Sequence, residues 1–506
     1  MDELPIGNLC LVALATLALA WALKAALRGK KTGAKHPPGP WNLPFIGSLH
    51  HLVGAQPHLA LLRLSRRHGP LMQLKLGEVS TLVVSTPEAA MEVLKAQDPL
   101  FATQPRSVTI DIVSSGGKGI ILAPYGEHWR QVRKICVVEL LSARQVKRLD
   151  SIRQQEVTRL VESIASTSTS AIINMSQAME SLANDIIARA VFGGRCRQQE
   201  EYLRVLKEVT TMVAGFNLAD FFPSSRLVRC LTSTERSLKR SHGQMVRIVD
   251  SIVEERREEK ARVSPGAAAK DDDDLLDVLL RLQKEDTLSI PLTTEIIGAL
   301  ITDLFGAATD TTSYALEWAM VELIKNPRAM ERAKHEVRNT LGHGRSTLTG
   351  ANIGELPYLR MVIKETLRLH PASALILRAN KERCHAMGYD IPPGTLVMIN
   401  AFAIARDPQQ WDDSCEFKPE RFESKGADIR AATAHLGYIP FGAGRRQCPG
   451  ALFATTTMEL ALANLLYHFD WALPNGQSLE SLDLTEVFGV TMHRRSNLYL
   501  HATLQL

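Results

Sequence analysis

The sequence predicts a mainly helical protein with a few short strands, and three observations predict it. Long stretches of helical apolar spacing occupy Ser142–Arg262, Pro291–Ile324, Pro357–Leu369 and the segment from Cys448 to about Phe469. Strand-like runs are few and short: Leu71–Leu76, Thr81–Ser85, Ala374–Leu377 and Thr395–Ile399. The 506 residues are 45% hydrophobic and 22% charged, the balance of a globular chain and not of a disordered one. The net charge of +5 is mild, and no basic block is interleaved with aromatics, so no nucleic-acid partner is expected. Such a charge suits a local basic patch facing an acidic partner or anionic lipid. Seven cysteines without Cys-x-x-Cys spacing argue against a zinc ribbon and a disulfide scaffold, and suit a reducing compartment.

At the N-terminus, Asp2 and Glu3 precede Ile6–Leu27, whose only charge is Lys24. As a helix this stretch is roughly 33 Å long, enough to cross a bilayer's hydrocarbon core. Arg28, Lys30, Lys31 and Lys35 follow, which orients the remainder to the cytosol. A cleaved signal peptide is the alternative, but its first residues should be basic and here they are acidic. Pro37-Pro38-Gly39-Pro40, Pro44 and Gly47 then make a stiff, non-helical spacer.

Leu71–Leu76 and Thr81–Ser85 flank Gly77-Glu78 and read as a hairpin. Pro87 opens a helix toward Lys95, and Phe101–Gly126 is irregular and rich in Ser and Gly. Trp129 and Arg133 lie four apart in a helical stretch, hence on one face; alone, such a pair is ordinary surface packing. Glu254–Arg262 is a dense charge run, read as a solvated helix end. Ser264–Ala267 followed by Asp271–Asp274 reads as a loop whose aspartates repel one another and prefer water.

Pro291 and Thr293 open a pattern so apolar that its helix should cross the domain interior before stopping at Asn326-Pro327. In its middle stands Gly306-Ala307-Ala308-Thr309-Asp310-Thr311-Thr312. The small residues let a flat ligand lie against the helix, and an acid beside a hydroxyl is what a proton relay needs. A mid-helix threonine also bonds back to a carbonyl and bends its helix, which is compatible with that role. Asn326 and Pro327 then read as N-cap and first residue of a helix to about Leu341. Glu365 and Arg368, three apart, face the same way on the helix that ends before Pro371.

The stretch Pro440–Gly450 is Pro-Phe-Gly-Ala-Gly-Arg-Arg-Gln-Cys-Pro-Gly. With Pro449 read as the first helical residue, Cys448 sits at a helix N-terminus that favours a thiolate, a soft anion suited to one axial bond to iron. A buried structural cysteine in a Gly-rich turn is the bland alternative. Asp470–Leu506 reads as strand-poor, with Pro474-Asn475-Gly476 a turn.

Phe441, Gly444, Arg446, Cys448 and Gly450 together match Phe-x-x-Gly-x-Arg-x-Cys-x-Gly, and that pattern resembles the haem-binding loop of cytochrome P-450 monooxygenases. Ala123–Gly126 and Pro419-Glu420-Arg421-Phe422 resemble the plant microsomal A-type class of specialised metabolism. The resemblance implies a mainly α fold with a smaller β-rich lobe, preceded by one N-terminal transmembrane helix. It divides the chain into an anchor at 1–28, a basic and proline-rich hinge at 29–47, and one catalytic domain at 48–506. Length alone would suggest roughly three domains, but motifs from Trp129 to Gly450 must meet at one cofactor. That cofactor is haem b, its iron ligated by Cys448, with Trp129, Arg133, Arg378, Phe441, Arg446 and Gly450 as the other cofactor-binding residues. Asp310 and Thr311 are the implied catalytic pair, delivering protons for dioxygen activation. Glu365, Arg368 and Arg421 are the implied buried structural triad.

Three positions depart from the family pattern: Gln104 replaces the usual arginine, with Arg106 as a candidate to compensate, Ala308 replaces glycine, and Leu377 replaces proline. The implied reaction is RH + O₂ + NADPH + H⁺ → ROH + H₂O + NADP⁺. No nucleotide motif follows a strand, so NADPH acts only through a separate cytochrome P-450 reductase, with cytochrome b5 a further partner. The reductase is expected near Arg130, Lys134 and Arg445, and the location is the endoplasmic reticulum membrane with the catalytic domain in the cytosol. The implied substrate is small and lipophilic: a terpenoid first, a phenylpropanoid, flavonoid or indole-derived compound second. A haem-thiolate isomerase or dehydratase, and a haem-binding protein without turnover, are the rival readings.

Overall fold

The computed structural model describes residues 35–167, 172–194, 198–214, 217–262, 274–285, 288–342, 348–423 and 437–505. The Ile6–Leu27 stretch, with the whole of the expected anchor, lies outside them, as do Ser264–Asp273. Among the described residues no helix is long and apolar enough to cross a membrane.

The helix Thr294–Lys325 is the axis of the molecule. Its residues are apolar on nearly every side, and from Ile296 to Ile324 most are buried. Thr293 starts it, its hydroxyl accepting the Ile296 N–H at 3.4 Å. It ends at Asn326, which Pro327 disfavours from helical geometry. Asn326 occupies the N-cap of the next helix, Pro327–Leu341, but does not cap it with its side chain. Its amide instead donates 2.8 Å back to the Glu322 carbonyl. Around this central helix pack Met175–Phe192, Thr234–Arg262, Pro357–Leu369 and Ala451–His468. Their apolar faces join in one large core.

The β-rich lobe is a four-stranded sheet in the order Leu71–Leu76, Val79–Val84, Leu396–Asn400, Leu375–Ala379. The first two strands are the expected hairpin, with Leu71 opposite Val84. The turn needs Gly77, at φ +60°, where a Cβ would stand 2.5 Å from the Phe221 carbonyl oxygen. Leu396–Asn400 runs parallel to Val79–Val84 and antiparallel to Leu375–Ala379.

Trp129 and Arg133 lie on the helix Glu127–Lys134, as expected, and it continues as a wider π-turn over Ile135–Leu140. Two local expectations are corrected. The C-terminal region carries four strands, Phe469–Ala472, Glu486–Val487, His493–Arg494 and Tyr499–Leu504. One of their partners, Ile172–Asn174, lies more than 300 residues away in sequence, so no local pattern announces the pairing. Asp274 is not in water: it is buried and salt-bridged to Arg256, which also holds Asp277 at 2.9 Å and the Phe192 carbonyl. Burial pushes the Asp274 carboxyl up, and Arg256 pulls the other way.

Breaking a buried pair strands the remaining charge. Arg256→Ala is expected to cost about 3 kcal/mol, read as a lower urea midpoint, whereas Arg262→Ala at the exposed end of the same helix leaves the midpoint unchanged.

Candidate functional site

Cys448 stands where the loop 439–450 runs into the Ala451–His468 helix. Gly442 and Gly444 bend this loop at φ +68° and +71°. At Gly444 a Cβ would lie 2.5 Å from the Leu94 carbonyl oxygen and 2.7 Å from Asp98, so the position admits only glycine. The Cys448 N–H donates 2.9 Å to the Phe441 carbonyl and closes the loop. The helix begins later than expected: Gly450 is its N-cap, so Pro449 precedes the helix and is not its first residue. Gly450 has φ −87°, and a Cβ there would meet only the Cys448 sulfur at 3.9 Å, so the protein backbone itself makes no demand for glycine. The sulfur is solvent-accessible although it lies deep among protein atoms, as expected of a group facing an internal cleft. Burial pushes the thiol up, against the Gly450 N–H and the Arg133 charge that favour thiolate. The helix terminus alone therefore does not make the thiolate. A cation placed on the sulfur is what ionises it.

Four arginines cluster about the loop that carries this sulfur, with Asp98 among them. Arg378 is buried, and desolvation lowers it to about 10. Arg446 falls to about 9 through burial and the neighbouring charges of Arg378 and Arg133. Arg445 lies 3.3 Å from Asp98, the carboxylate that also faces Arg378 and Arg446. Arg133 donates to the Gln447 carbonyl. Trp129 lies between Arg133 and Arg446, whose guanidinium carbons stand 5.9 and 4.6 Å from its ring. Its indole N–H is committed to the Ile120 carbonyl at 2.9 Å, so the ring serves as a wall and its donor holds a loop. The surplus positive charge asks for anions that the described side chains do not supply.

The departures have local explanations. Gln104 donates 2.9 Å to the Ile121 carbonyl, which Arg446 also reaches at 3.2 Å. Arg106 does not compensate: it is exposed and paired with Asp111. Ala308 packs against the main core. Leu377 sits opposite Met398 in the sheet.

Asp310 and Thr311 are neighbours on the central helix but point differently. The Thr311 hydroxyl donates 2.7 Å back to the Ala307 carbonyl. Asp310 lines a cavity of about 150 Å³ with Glu180, Asn184, Lys207, Tyr314 and His493. Burial and Glu180 push its carboxyl up, and Lys207 and His493 oppose them. Sequence reasoning missed Asp303, two turns earlier on the same helix. Its Oδ2 accepts the N–H groups of Ile120 at 2.6 Å and Ile121 at 3.0 Å, and burial raises it to about 6. An acid inside an apolar helical run, seven residues before Asp310, was the available signal.

Glu365, Arg368 and Arg421 meet. Arg368 grips Glu365 with two bonds of 2.7 and 2.8 Å, and Arg421 adds a third at 2.8 Å. Both Glu365 and Arg368 have no exposed surface. The remaining Arg368 donors reach the carbonyls of Ala405, Ser414 and Glu416. Every charge is met, which is the condition for such a group to be tolerated.

A helical fold with a small sheet, placing one deep thiol against an excess of guanidinium groups, defines the haem-thiolate class of proteins. Sequence comparison agrees: the sequence model of the family described as Cytochrome P450 matches residues 37–501. The chain is 46% identical to the desmethyl-deoxy-podophyllotoxin synthase of Sinopodophyllum hexandrum, over 97% of this chain and 96% of that protein. It is 43% identical to the germacrene A hydroxylase of Tanacetum parthenium, over 97% and 98%. It is 44% identical to the amorpha-4,11-diene 12-monooxygenase of Artemisia annua, over 97% and 96%. Among solved structures, a zebra fish cytochrome P450 determined with progesterone superposes with a TM-score of 0.75 at 27% identity, covering 89% of this chain and 100% of that one. The chain belongs to the cytochrome P450 family, and it is a monooxygenase of that family. Its cofactor is haem with a cysteine thiolate on the iron. The residues fit that group: an accessible sulfur, glycines that keep side chains off the loop, and unspent positive charge for two propionates.

Asp303 sets a pH dependence with a definite sign. Its folded-state carboxyl titrates near 6, above the ordinary value of about 4, so the folded chain binds the extra proton between them and stability rises as pH falls through that window. Asp303→Asn is expected to remove this slope between about pH 4 and about pH 7, as read by thermal midpoints.

Proposed function

We propose that this chain is a membrane-anchored monooxygenase that hydroxylates a small lipophilic terpenoid, with electrons from NADPH delivered by a separate reductase. The observation that carries the substrate class is the near full-length similarity to two enzymes named for germacrene A and amorpha-4,11-diene. Bound at Cys448, the haem supplies the redox chemistry that activates dioxygen. Arg133 and Arg378 would hold its carboxylates by charge-assisted hydrogen bonds, with Arg446, whose donors lie on the Ala102, Ile121 and Ala123 carbonyls, adding its charge and the Trp129 ring a wall. Phe441 and Gly450 shape the loop around the sulfur. Asp310, poised upward by burial, takes protons from the polar cavity and passes them toward Thr311. Glu365, Arg368 and Arg421 act structurally.

The partner readings rest on surface chemistry. Arg130 and Lys134 are exposed on the cysteine side, and Arg445 is half exposed, which suits an acidic reductase or cytochrome b5. Trp41, Phe45 and Val53 expose large apolar surfaces, as do Leu227 and Leu231. Glu78, in the hairpin turn beside the first group, donates its N–H to the Phe221 carbonyl near the second. That pattern suits contact with a lipid surface and supports the endoplasmic reticulum location. A second substrate reading, a phenylpropanoid, rests on the relative named for desmethyl-deoxy-podophyllotoxin.

Co-expression with a reductase and feeding of sesquiterpenes is expected to yield products heavier by one oxygen, dependent on NADPH. Oxygenation of a phenylpropanoid panel alone would move the assignment to the second reading, and NADPH-independent conversion would favour an isomerase or dehydratase. Cys448→Ser should abolish the red-shifted Soret band of the reduced protein under carbon monoxide. Asp310→Asn should lower turnover by about 100-fold, the lower end of general acid–base effects, while that band persists. Lys134→Glu should raise the KM for reductase and flatten its salt dependence.

A further inference from the structure

The ribbon that reaches the Asp310 cavity is very short. Glu486–Val487 pairs with His493–Arg494, and Phe488–Met492 form its tip. Gly489, Val490 and Thr491 of that tip line the cavity. A two-residue ladder does not hold itself in place; the Met492 N–H on the Ala372 carbonyl at 2.9 Å and the Phe488 ring stacked on His58 fix part of the tip, and the side chains at its base set the rest. On one edge, Arg494 Nη1 lies 3.2 Å from Glu317 Oε1, both almost fully buried. On the other edge, Glu486 Oε1 lies 2.6 Å from His370 Nδ1. The opposite ring nitrogen, His370 Nε2, lies 3.1 Å from Glu322 Oε1. His370 is the C-cap of Pro357–Leu369, and Glu317 and Glu322 belong to the central helix. The ribbon is thus tied to two helices through two ion pairs.

Ionised carboxylates only accept hydrogen bonds, so a ring bonded to one at each nitrogen carries both protons. The carboxylates are ionised. Burial is the largest influence on Glu486 and Glu322 and pushes both up, but His370 together with Arg406 at Glu486, and with Lys325 at Glu322, outweighs it and holds both below their ordinary range. The Trp318 ring stacks on the imidazole at 3.8 Å and 3°, a face that favours a cation. The other charged or titratable neighbours do not compete for the proton. Arg406 is spent over the Phe402 ring at 3.7 Å and on the Leu369 carbonyl. Lys325 sits 2.8 Å from Glu322, and Arg494 stands 5.8 Å from the Trp318 ring. Burial lowers His58 to about 4, so it is neutral near pH 7 and faces Glu486 as an uncharged ring.

We infer that His370 is a positioning residue: as imidazolium it latches the Glu486 edge of the C-terminal ribbon to the central helix and so sets where Phe488–Thr491 stand. The Arg494–Glu317 pair holds the other edge, so the ribbon pivots on it when the His370 bonds are removed. The effect on substrate orientation rests on the reading of the Asp310 cavity as part of the reaction site, but the latch itself does not.

Hydrogen exchange of the full-length haem-loaded protein, followed by mass spectrometry at one fixed pH, tests it. His370→Gln should make residues 484–498 exchange about tenfold faster than in the wild type, the scale of one buried charged hydrogen bond. Glu486→Gln, which keeps an acceptor but not the charge, should speed them by less. Residues 357–369 should stay equally protected in all three proteins. Equal exchange of 484–498 in wild type and His370→Gln overturns the latch, and so does loosening that spreads equally into 357–369. Lack of terpenoid turnover would count against the proposed function and leave these rates as they are.

Discussion

Everything around the thiol depends on one buried carboxylate. Glu365 has no exposed surface, and two arginines and the Lys418 N–H converge on it. Through Arg368 and Arg421 it gathers the carbonyls of Ala405, Asp412, Ser414 and Glu416 onto the Pro357–Leu369 helix. Tyr438, immediately before the cysteine loop, donates 3.1 Å to the Lys364 carbonyl beside it. The Trp411 indole, under the same arginines, donates to the Gly437 carbonyl. The loop that carries Cys448 is therefore suspended from a charged knot that water does not reach. Removing one member leaves a bare charge in a low-dielectric interior, which explains how so costly a group is retained far from the reacting atoms.

The knot and the arginine ring solve opposite problems. In the knot every charge is met by another or by a carbonyl. Around Cys448 the positive charge is left in excess, with Asp98 the carboxylate that Arg378, Arg445 and Arg446 share. A protein tolerates such an excess only where an anionic ligand completes it. The pressure is visible in the falling acidity range of Arg378 and Arg446, each buried beside another cation or alone. The contrast separates a structural cluster from a binding one on physical grounds, without appeal to motif.

What could be read from sequence follows how local each signal is. The central helix was legible because Thr293 starts it and Asn326-Pro327 stops it. The hairpin was legible because Gly77-Glu78 lies between two alternating runs. The cysteine loop was legible as a spacing of five fixed positions, though its helix begins after Gly450 and not at Pro449. The C-terminal strands were not legible, since Tyr499 pairs with Asn174. Asp274 was misread because its partner Arg256 lies on another helix. Asp303 looked like an isolated charge, because the N–H groups it accepts sit on a loop more than 180 residues earlier.

That loop joins two elements that are distant in sequence. Between Ile120 and Ala123 the backbone is used from both sides: its N–H groups serve Asp303 on the central helix, and its carbonyls serve Arg446 in the cysteine loop. Four residues thereby act as a spacer of fixed thickness between the central helix and the cysteine loop, so a change of length there would move one against the other.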